Sequence, residues 1–230
     1  MRNTLGADEA DELQLGSPFD YESSTLLYVA NDIPEPNASG YQQMLDKSLI
    51  ATAKATGGRM LVLFTSYTAL KKTAKAITGP LAREDIYVYE QGDGASPNAL
   101  LESFKSTERA VLLGTRSFWE GVDVPGNALS VVVITKLPFD VPTDPLIAAR
   151  SEMYEDSFNE YYLPEAILKF RQGFGRLIRT ASDRGIVAIL DRRVLTKQYG
   201  RLFLESLPHC TIKQGPSVNL AREAGKWLGM

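Results

Sequence analysis

Several short runs of nearly uninterrupted apolar residues constrain the fold of this 230-residue chain more than any other feature. Each run is too short for a buried helix, whereas a strand that is buried on both faces of a sheet shows this continuous pattern. We therefore expect strands over 26–30 (LLYVA), 59–64 (RMLVLF), 86–89 (IYVY), 110–114 (AVLLG), 129–135 (LSVVVIT) and 186–190 (IVAIL).

The segments between these runs are predicted to be helical. Apolar residues recur at three-to-four spacing in several of them, and the pair Gly57-Gly58 is a typical helix end. Alternating strands and helices predict an α/β fold with a doubly wound, mostly parallel sheet, apolar on both sides of every strand and covered by helices on both faces. The segment 137–180 lacks a strand and predicts a helical insertion. The predicted helices cover 40–56, 67–78, 97–105, 144–157, 163–180, 194–206 and 217–228.

Composition excludes several classes of site. Cys210 and His209 are the only cysteine and the only histidine, so this chain by itself has no disulfide, cysteine zinc site, iron–sulfur cluster or two-histidine metal site. We interpret both residues as structural. No stretch approaches the ~18 apolar residues of a membrane helix, and the first residues lack the apolar core of a secretory signal. We expect a cytoplasmic protein with no membrane partner.

Positive charge is concentrated in one segment of an otherwise acidic chain. The net charge is −3, yet residues 169–201 contain nine Lys or Arg and only two Asp. A local positive field of this kind can hold phosphates even when the total charge is negative. A solvated helix face is the alternative interpretation.

Within that segment, residues 170–179 read FRQGFGRLIR. If 163–180 is one helix, the spacing i, i+3, i+4, i+7 places four side-chain positions on one face. Two glycines cost such a helix about 1 kcal/mol each relative to alanine, which is tolerated where another group packs on the backbone. Two arginines one turn apart suit a clamp for phosphate oxygens. The four positions are Gln172, Gly175, Arg176 and Arg179.

Small polar residues follow two of the predicted strands. Thr65 and Ser66 follow the strand 59–64, and Thr115 and Ser117 follow the strand 110–114. Ligands of open α/β sheets bind outside the carboxyl ends of the strands, so these hydroxyls are candidate phosphate contacts. The alternative for Ser66 is a helix cap. Gln91-Gly92-Asp93-Gly94 is interpreted as a turn.

The chain has no phosphate-cradling loop of the form Gly-x4-Gly-Lys-Ser/Thr. Asp8-Glu9-Ala10-Asp11 spells a metal-binding tetrapeptide of certain helicases. We reject it because it does not end an apolar strand beside such a loop.

Three of these segments, in this order, resemble motifs IV, V and VI of superfamily 2 helicases. The tract 61–66 resembles motif IV, Glu120-Gly121-x-Asp123 resembles motif V, and Gln172-x-x-Gly175-Arg176-x-x-Arg179 resembles motif VI. The fuller spellings resemble the DinG family, bacterial relatives of the XPD helicase. These spellings are SPFDY at 17–21, GTRSFWEGVDVPG at 114–126, KLPF at 136–139, the tract 172–185 and DRR at 191–193.

This resemblance implies a RecA-like fold and a domain assignment. Helicases of this family have two RecA-like domains, and the first carries the phosphate loop and the metal-binding carboxylates. Residues 25–230 resemble the second RecA-like domain, and residues 1–24 would be a lead-in or linker from the first.

The resemblance also implies roles for the candidate residues. Arg176 and Arg179 would be arginine fingers that reach the γ-phosphate of ATP, and Gln172 would position the nucleotide or the attacking water. The turn with Glu120, Gly121 and Asp123, together with Gly175, would adjoin ATP. Thr65, Ser66, Thr115 and Ser117 would contact phosphates of single-stranded DNA. ATP and Mg²⁺ would be held mainly by the first domain, the partner within the same full-length chain.

A helicase domain is therefore the leading interpretation, and the isolated chain is expected to have no ATPase activity. A non-catalytic nucleic-acid or partner-binding module derived from a helicase is the alternative. A flavodoxin-like or nucleotide-sugar enzyme is a third candidate. It would require a glycine-rich turn after the first strand, where the sequence has Pro34 and Pro36 instead.

Overall fold

The computed structural model describes residues 18–119, 128–180 and 182–230. The rejected tetrapeptide at 8–11 lies outside these ranges. So do Glu120, Gly121 and Asp123 of the motif V turn.

The described residues form a seven-stranded sheet in which every adjacent pair of strands is parallel. The strand order is β3-β4-β2-β5-β6-β1-β7. The doubly wound α/β prediction is thereby confirmed. The strands are β1 (Thr25–Ala30), β2 (Met60–Leu63), β3 (Tyr87–Glu90), β4 (Ala110–Gly114), β5 (Val131–Ile134), β6 (Gly185–Ile189) and β7 (Thr211–Gly215).

Successive residues of the central strands enter two separate cores, one on each face of the sheet. In β2, Leu61 and Leu63 pack into one core, while Met60 and Val62 pack into the other. All four side chains are fully buried. This arrangement explains why the central strands show no polar alternation in the sequence.

The prediction that all strands are apolar on both sides is wrong for the two edge strands. Tyr87 of β3 is 64% exposed, and the three middle residues of β7 are exposed. An edge strand has a neighbour on one side only, so it is less completely covered. This is also why the sequence TIKQG of β7 carries no buried-strand signal.

The helices lie on both faces of this sheet. They are α1 (Tyr21–Ser24), α2 (Tyr41–Ala55), α3 (Tyr67–Ala82), α4 (Pro97–Ser106), α5 (Arg116–Trp119), α6 (Pro145–Ser151), α7 (Leu163–Phe174), α8 (Arg193–Thr196), α9 (Gly200–Glu205) and α10 (Leu220–Leu228), with a π-helix at Phe158–Tyr162 and a 3-10 turn at Ser217–Asn219. Helix α1 falls within the predicted lead-in, and Phe19 and Tyr21 pack against the core, so the folded body begins before residue 25.

Three predicted helices differ from the structure. The segment 144–157 ends as a helix at Ser151 and is followed by the π-helix that leads into α7. The segment 194–206 is split into α8 and α9, because Lys197 after α8 adopts an extended backbone. Gly200 at the start of α9 lies against the main chain of Val194, where a Cβ would clash. The predicted helix 163–180 ends at Phe174.

The helical insertion predicted over 137–180 is present in outline, with α6, the π-helix and α7 between β5 and β6. Among the described residues, no helix combines the length and apolar character needed to cross a bilayer.

Candidate functional site

The hydroxyl residues singled out from the sequence lie at the carboxyl edge of the sheet; they are Thr65, Ser66, Thr115 and Ser117. Because β4, β2, β5 and β6 are parallel neighbours, the segments that follow them lie side by side along that edge. Those segments begin at Thr115, Phe64, Thr135 and Leu190. The sequence prediction of a site at this edge depends on this strand order, which the sequence alone did not supply.

Ser66 and Thr65 occupy the end of β2. The side chain of Ser66 accepts a hydrogen bond of 3.3 Å from the amide of Ala69 and caps α3. Ser66 is exposed and Thr65 is half-buried. The capping interpretation is therefore confirmed, and exposure leaves the Ser66 hydroxyl open to a second partner.

Gln91 links Thr115 and Ser117 through hydrogen bonds. It directly follows β3, the strand that pairs with β4. The Gln91 Oε1 atom accepts hydrogen bonds from the Thr115 amide at 2.7 Å and from the Thr115 hydroxyl at 2.8 Å. The Gln91 Nε2 atom donates to the Ser117 Oγ atom at 2.8 Å. Thr115 and Gln91 are buried, whereas Ser117 is exposed. The Thr115 hydroxyl therefore donates its proton to Gln91, whereas the Ser117 hydroxyl accepts a hydrogen bond from Gln91 and keeps its own proton for another acceptor.

Trp119 joins the end of β2 to the region after α7. Its indole Nε1–H donates to the Phe64 carbonyl at 3.0 Å, and its ring lies against Gly173. Its main-chain carbonyl accepts two hydrogen bonds from the Arg176 guanidinium, from Nε at 3.1 Å and Nη2 at 2.7 Å. Arg176 is therefore fixed beside the residue at which the motif V turn begins.

The predicted single helix face with Gln172, Gly175, Arg176 and Arg179 is not formed. Helix α7 ends at Phe174 with Gly175 as its C-cap, so Arg176 and Arg179 lie beyond the helix. The chain turns there because Leu177 and Ile178 bury their side chains in the core. The positions of Arg176 and Arg179 are therefore set by this turn and not by helical periodicity.

The end of this turn is organised by Asp183. Its carboxylate accepts hydrogen bonds from the amides of Arg179 and Thr180, at 2.8 and 2.9 Å, and from the Thr180 hydroxyl at 2.7 Å. Arg179 is exposed. Asp183 thus fixes the main chain from which the Arg179 side chain extends.

The two glycines of the tract 170–179 have different roles: Gly175 is the C-cap of α7, and Gly173 lies against an aromatic ring. A Cβ on Gly173 would lie 2.9 Å from two ring carbons of Trp119, so this glycine makes room for the indole ring. The sequence prediction of a close approach to a glycine backbone is correct there, although the approaching group is protein. Gln172, in the same turn of α7, has a buried Oε1 atom with no hydrogen-bond partner among the described residues.

A buried carboxylate fixes the end of β6. Asp191 is fully buried. It accepts a hydrogen bond of 2.8 Å from the Leu137 amide and binds the Arg193 guanidinium through both oxygens. Burial opposes the charge on Arg193, but the bonds to Asp191 outweigh that effect and raise the pKa of Arg193. The DRR tract quoted from the sequence is thus a structural junction between two strand ends.

A cavity of about 870 Å³ lies at this edge. It is bounded by segments after β1, β2, β5 and β6 and by the π-helix. Thr65, Ser66, Lys136 and Arg193 line it. The hydroxyl of Tyr41, also in the lining, donates to the Thr135 carbonyl and connects α2 to the end of β5.

Residues 49–210 match the family described as the helicase C-terminal domain. The chain belongs to this family. It is 42% identical over 208 residues to the ATP-dependent DNA helicase YoaA of Escherichia coli (strain K12), which covers 89% of this chain and 32% of the relative. It is 39% identical over 210 residues to the 3'-5' exonuclease DinG of Bacillus subtilis (strain 168), which covers 88% of this chain and 23% of the relative. The chain thus spans about a quarter to a third of the length of these relatives.

A solved structure of an XPD helicase superimposes on this helicase domain with a TM-score of 0.62, at 21% identity, over 84% of this chain and 36% of that one. The likeness shows the fold, and the RecA-like prediction is confirmed. The predicted resemblance to C-terminal domains of DinG-type helicases is confirmed by the sequence matches.

Gln91 is the site residue that the sequence analysis missed. It was interpreted as part of a turn, which the structure confirms, with Gly92 at φ 91° and Gly94 at φ 90°. Its contacts reach 24 and 26 residues along the chain. The sequence did contain a signal for Gln91: it is a polar residue close behind the predicted strand 86–89.

Proposed function

We propose that this chain is the second motor domain of an ATP-dependent DNA helicase. It supplies arginines to ATP that another domain of the full-length protein holds, and it binds the phosphates of single-stranded DNA. The observation that carries the proposal is the attachment of Arg176 to the Trp119 carbonyl, since it joins motif VI to the start of motif V. The named activities of the relatives support the same assignment.

Arg176 and Arg179 are assigned to the transferred phosphoryl group. A guanidinium is planar and always charged, and it matches the geometry of phosphate oxygens. The bonds to Trp119 hold the Arg176 side chain before ATP arrives, so little reorganisation is needed as charge develops on the phosphoryl group. An arginine finger contributes about 10³–10⁵ to the rate of such a reaction.

Gln172 and the motif V turn are assigned to the nucleotide. Gln172 is assigned to the nucleotide or the attacking water through the resemblance to motif VI, and its Oε1 atom is buried with no hydrogen-bond partner among the described residues. Glu120, Gly121 and Asp123, with Gly175 at the end of α7, are assigned to the ATP side of the domain through the resemblance to motifs V and VI.

The DNA contacts are assigned to exposed hydroxyls. Gln91 donates to the Ser117 Oγ atom, so the Ser117 hydroxyl proton is directed to another acceptor, and a DNA phosphate oxygen suits it. Thr115 donates its own proton to Gln91 and is buried, so we assign it a positioning role. Ser66 and Thr65, on the adjacent strand end, continue the row of hydroxyls.

Mg²⁺ is not assigned to this chain. In the described part of the chain, no group of three His, Cys, Asp or Glu side chains has the arrangement of a metal site. We assign ATP with its Mg²⁺ to the first domain because the resemblance places the phosphate loop and the metal-binding carboxylates there.

The test is ATP hydrolysis by this chain mixed with the matching N-terminal half of the full-length protein, with and without single-stranded DNA. We expect DNA-stimulated hydrolysis by the mixture and none by this chain alone. Arg176→Ala and Arg179→Ala should each reduce hydrolysis by about 10³-fold or more. Arg171→Ala, an exposed arginine on α7, should leave it unchanged.

A non-catalytic nucleic-acid-binding module is the second candidate. Its distinguishing result is a mixture whose halves associate and bind single strands but hydrolyse no ATP. That result would overturn the motor assignment and retain the binding function.

A further inference from the structure

The cavity at the carboxyl edge has one wall made of aromatic rings. Phe139 and Phe158 are stacked, with ring centroids 5.9 Å apart and planes 20° apart, and Tyr199 contacts both rings edge-on or tilted. Phe158 begins the π-helix and is 41% exposed. Part of the Phe158 side chain on this wall is therefore left uncovered by the described residues.

The remaining lining is cationic and polar. Lys136 and Arg193 come from the ends of β5 and β6, and Lys72 comes from α3. The acidic lining residue Asp140 is neutralised by Lys169, at 2.5 Å. The cavity therefore combines aromatic faces with a net positive lining.

Lys136 is a lining cation for which the described residues provide no partner. Arg193 is bound to the buried Asp191, whereas the ammonium of Lys136 forms no ion pair or hydrogen bond with any described residue. Burial, together with the charge of Arg193, lowers the pKa of Lys136. A half-buried ammonium beside a second cation is stabilised by an anion.

We propose that this cavity is a nucleotide subsite in which one base stacks on Phe158 and the attached phosphate lies against Lys136 and the Ser66 hydroxyl. The inference rests on the proposed single-strand binding, and it adds a base contact to a set of phosphate contacts. An apolar ligand would leave the cations unpaired, and an inorganic anion would leave the aromatic wall unused. A nucleotide interacts with both walls: its base stacks on the aromatic rings, because every base has a π-face, and its negatively charged phosphate pairs with the cations.

The subsite is distinct from the region assigned to ATP hydrolysis. Arg176, Arg179 and Gln172 do not line the cavity, whereas Thr65 and Ser66 do. A nucleotide of the bound strand is therefore the assigned occupant. A free mononucleotide shares the same chemistry and is distinguished below.

The experiment compares two single-stranded oligonucleotides of equal length, one with all its bases and one in which abasic residues replace them. Their dissociation constants are measured on the 230-residue chain, its Phe158→Leu variant and its Tyr87→Leu variant. Tyr87 is a more exposed aromatic on the edge strand β3, away from the cavity, and is the control. Equal thermal midpoints verify that the variants are folded.

Stacking of one base on an aromatic side chain corresponds to roughly 5- to 140-fold in affinity. We expect Phe158→Leu to weaken binding of the base-bearing strand by that factor and to leave binding of the abasic strand unchanged. Tyr87→Leu should affect neither strand. Equal effects of Phe158→Leu on both strands, or no effect on either, would overturn the inference while leaving single-strand binding intact.

Lys136→Gln gives a second, independent readout. It should weaken binding of both oligonucleotides by the same factor. It should also reduce the slope of log Kd against log salt by about 0.7, the value for one phosphate contact on a single strand. An unchanged salt slope would overturn the phosphate part of the inference.

A titration with deoxyadenosine monophosphate identifies the source of the nucleotide. Binding of the monophosphate that depends on Phe158, without oligonucleotide binding, would overturn the assignment to a strand. Absence of oligonucleotide binding and of monophosphate binding would overturn both the inference and the proposed DNA function.

Discussion

The guanidinium of Arg176 is bonded to the main-chain carbonyl of Trp119 through two nitrogens, at 3.1 and 2.7 Å. The Trp119 indole is in turn bonded to the Phe64 carbonyl at the end of β2. Arg176 is therefore both a candidate catalytic group and part of the structure that fixes the carboxyl edge of the sheet.

Removing the Arg176 side chain should cost stability as well as activity. Arg176→Ala leaves the Trp119 carbonyl without these donors, and we expect a loss of about 1–3 kcal/mol in the free energy of unfolding. Urea denaturation of the chain measures it. Arg171→Ala should stay within about 0.5 kcal/mol of the wild type because Arg171 is exposed. Equal losses in the two variants would contradict the structural role of Arg176.

Substitution of Gly173 should destabilise the chain although alanine favours helices. A Cβ there would lie 2.9 Å from the Trp119 ring and 3.1 Å from the Leu63 Cδ1 atom. We expect Gly173→Ala to lower the free energy of unfolding by about 1–3 kcal/mol, since overpacking exceeds the gain in helix propensity.

Gly225→Ala is the control for that variant. Gly225 lies within α10, and a Cβ there would meet its nearest neighbours at 3.7 and 3.8 Å, an ordinary contact distance. This substitution should be neutral or stabilise the chain by up to about 1 kcal/mol. A stabilised Gly173→Ala variant would show that the Trp119 ring is not held as described.

Two substitutions of Gln91 distinguish its contribution to stability from its contribution to DNA binding. Gln91→Met removes all three hydrogen bonds and leaves the buried Thr115 amide unpaired, so we expect a loss of about 1–3 kcal/mol in the free energy of unfolding. Gln91→Glu keeps the acceptor for Thr115 but loses the donor to Ser117 and adds a negative charge near the proposed phosphate. Gln91→Glu should therefore weaken single-strand binding with the smaller effect on stability. Equal DNA affinity of Gln91→Glu and the wild type would remove Ser117 from the contact.

Cys210 should be an unreactive thiol in the folded chain. Burial raises the pKa of the Cys210 thiol to about 11. Because this pKa is raised in the folded state, the stability contributed by the thiol is complete below about pH 9 and is lost as the pH rises through 11. Cys210 is the only cysteine, so alkylation reports on this group alone.

The native alkylation rate should rise about tenfold per pH unit through pH 10, because the thiolate remains a minor species there. In urea, the same thiol should react faster at pH 8 and level off near pH 9. A native rate that levels off near pH 9 would contradict the burial of Cys210.

The strands and their order of appearance follow from the sequence because a strand covered on both faces must be apolar at every position. The runs at 59–64, 110–114, 129–135 and 186–190 correspond to β2, β4, β5 and β6 within a few residues. The motif residues were also recognised from the sequence, since motif spelling is local. The edge strand β7 is not among the clear apolar runs, because only one side of it pairs and its middle residues face solvent.

The site itself was decided by tertiary packing. Periodicity extended α7 to residue 180, but the burial of Leu177 and Ile178 turns the chain after Phe174 and directs Arg176 to Trp119. Gln91 reaches Thr115 because β3 and β4 are neighbours in the sheet, and the cavity is assembled from strand ends far apart in the sequence. The sequence by itself determined the central strands, their burial on both faces and the identity of the motif residues, because each depends on local pattern. Which side chains meet was decided by strand order and core packing, because these contacts join residues that no local pattern connects.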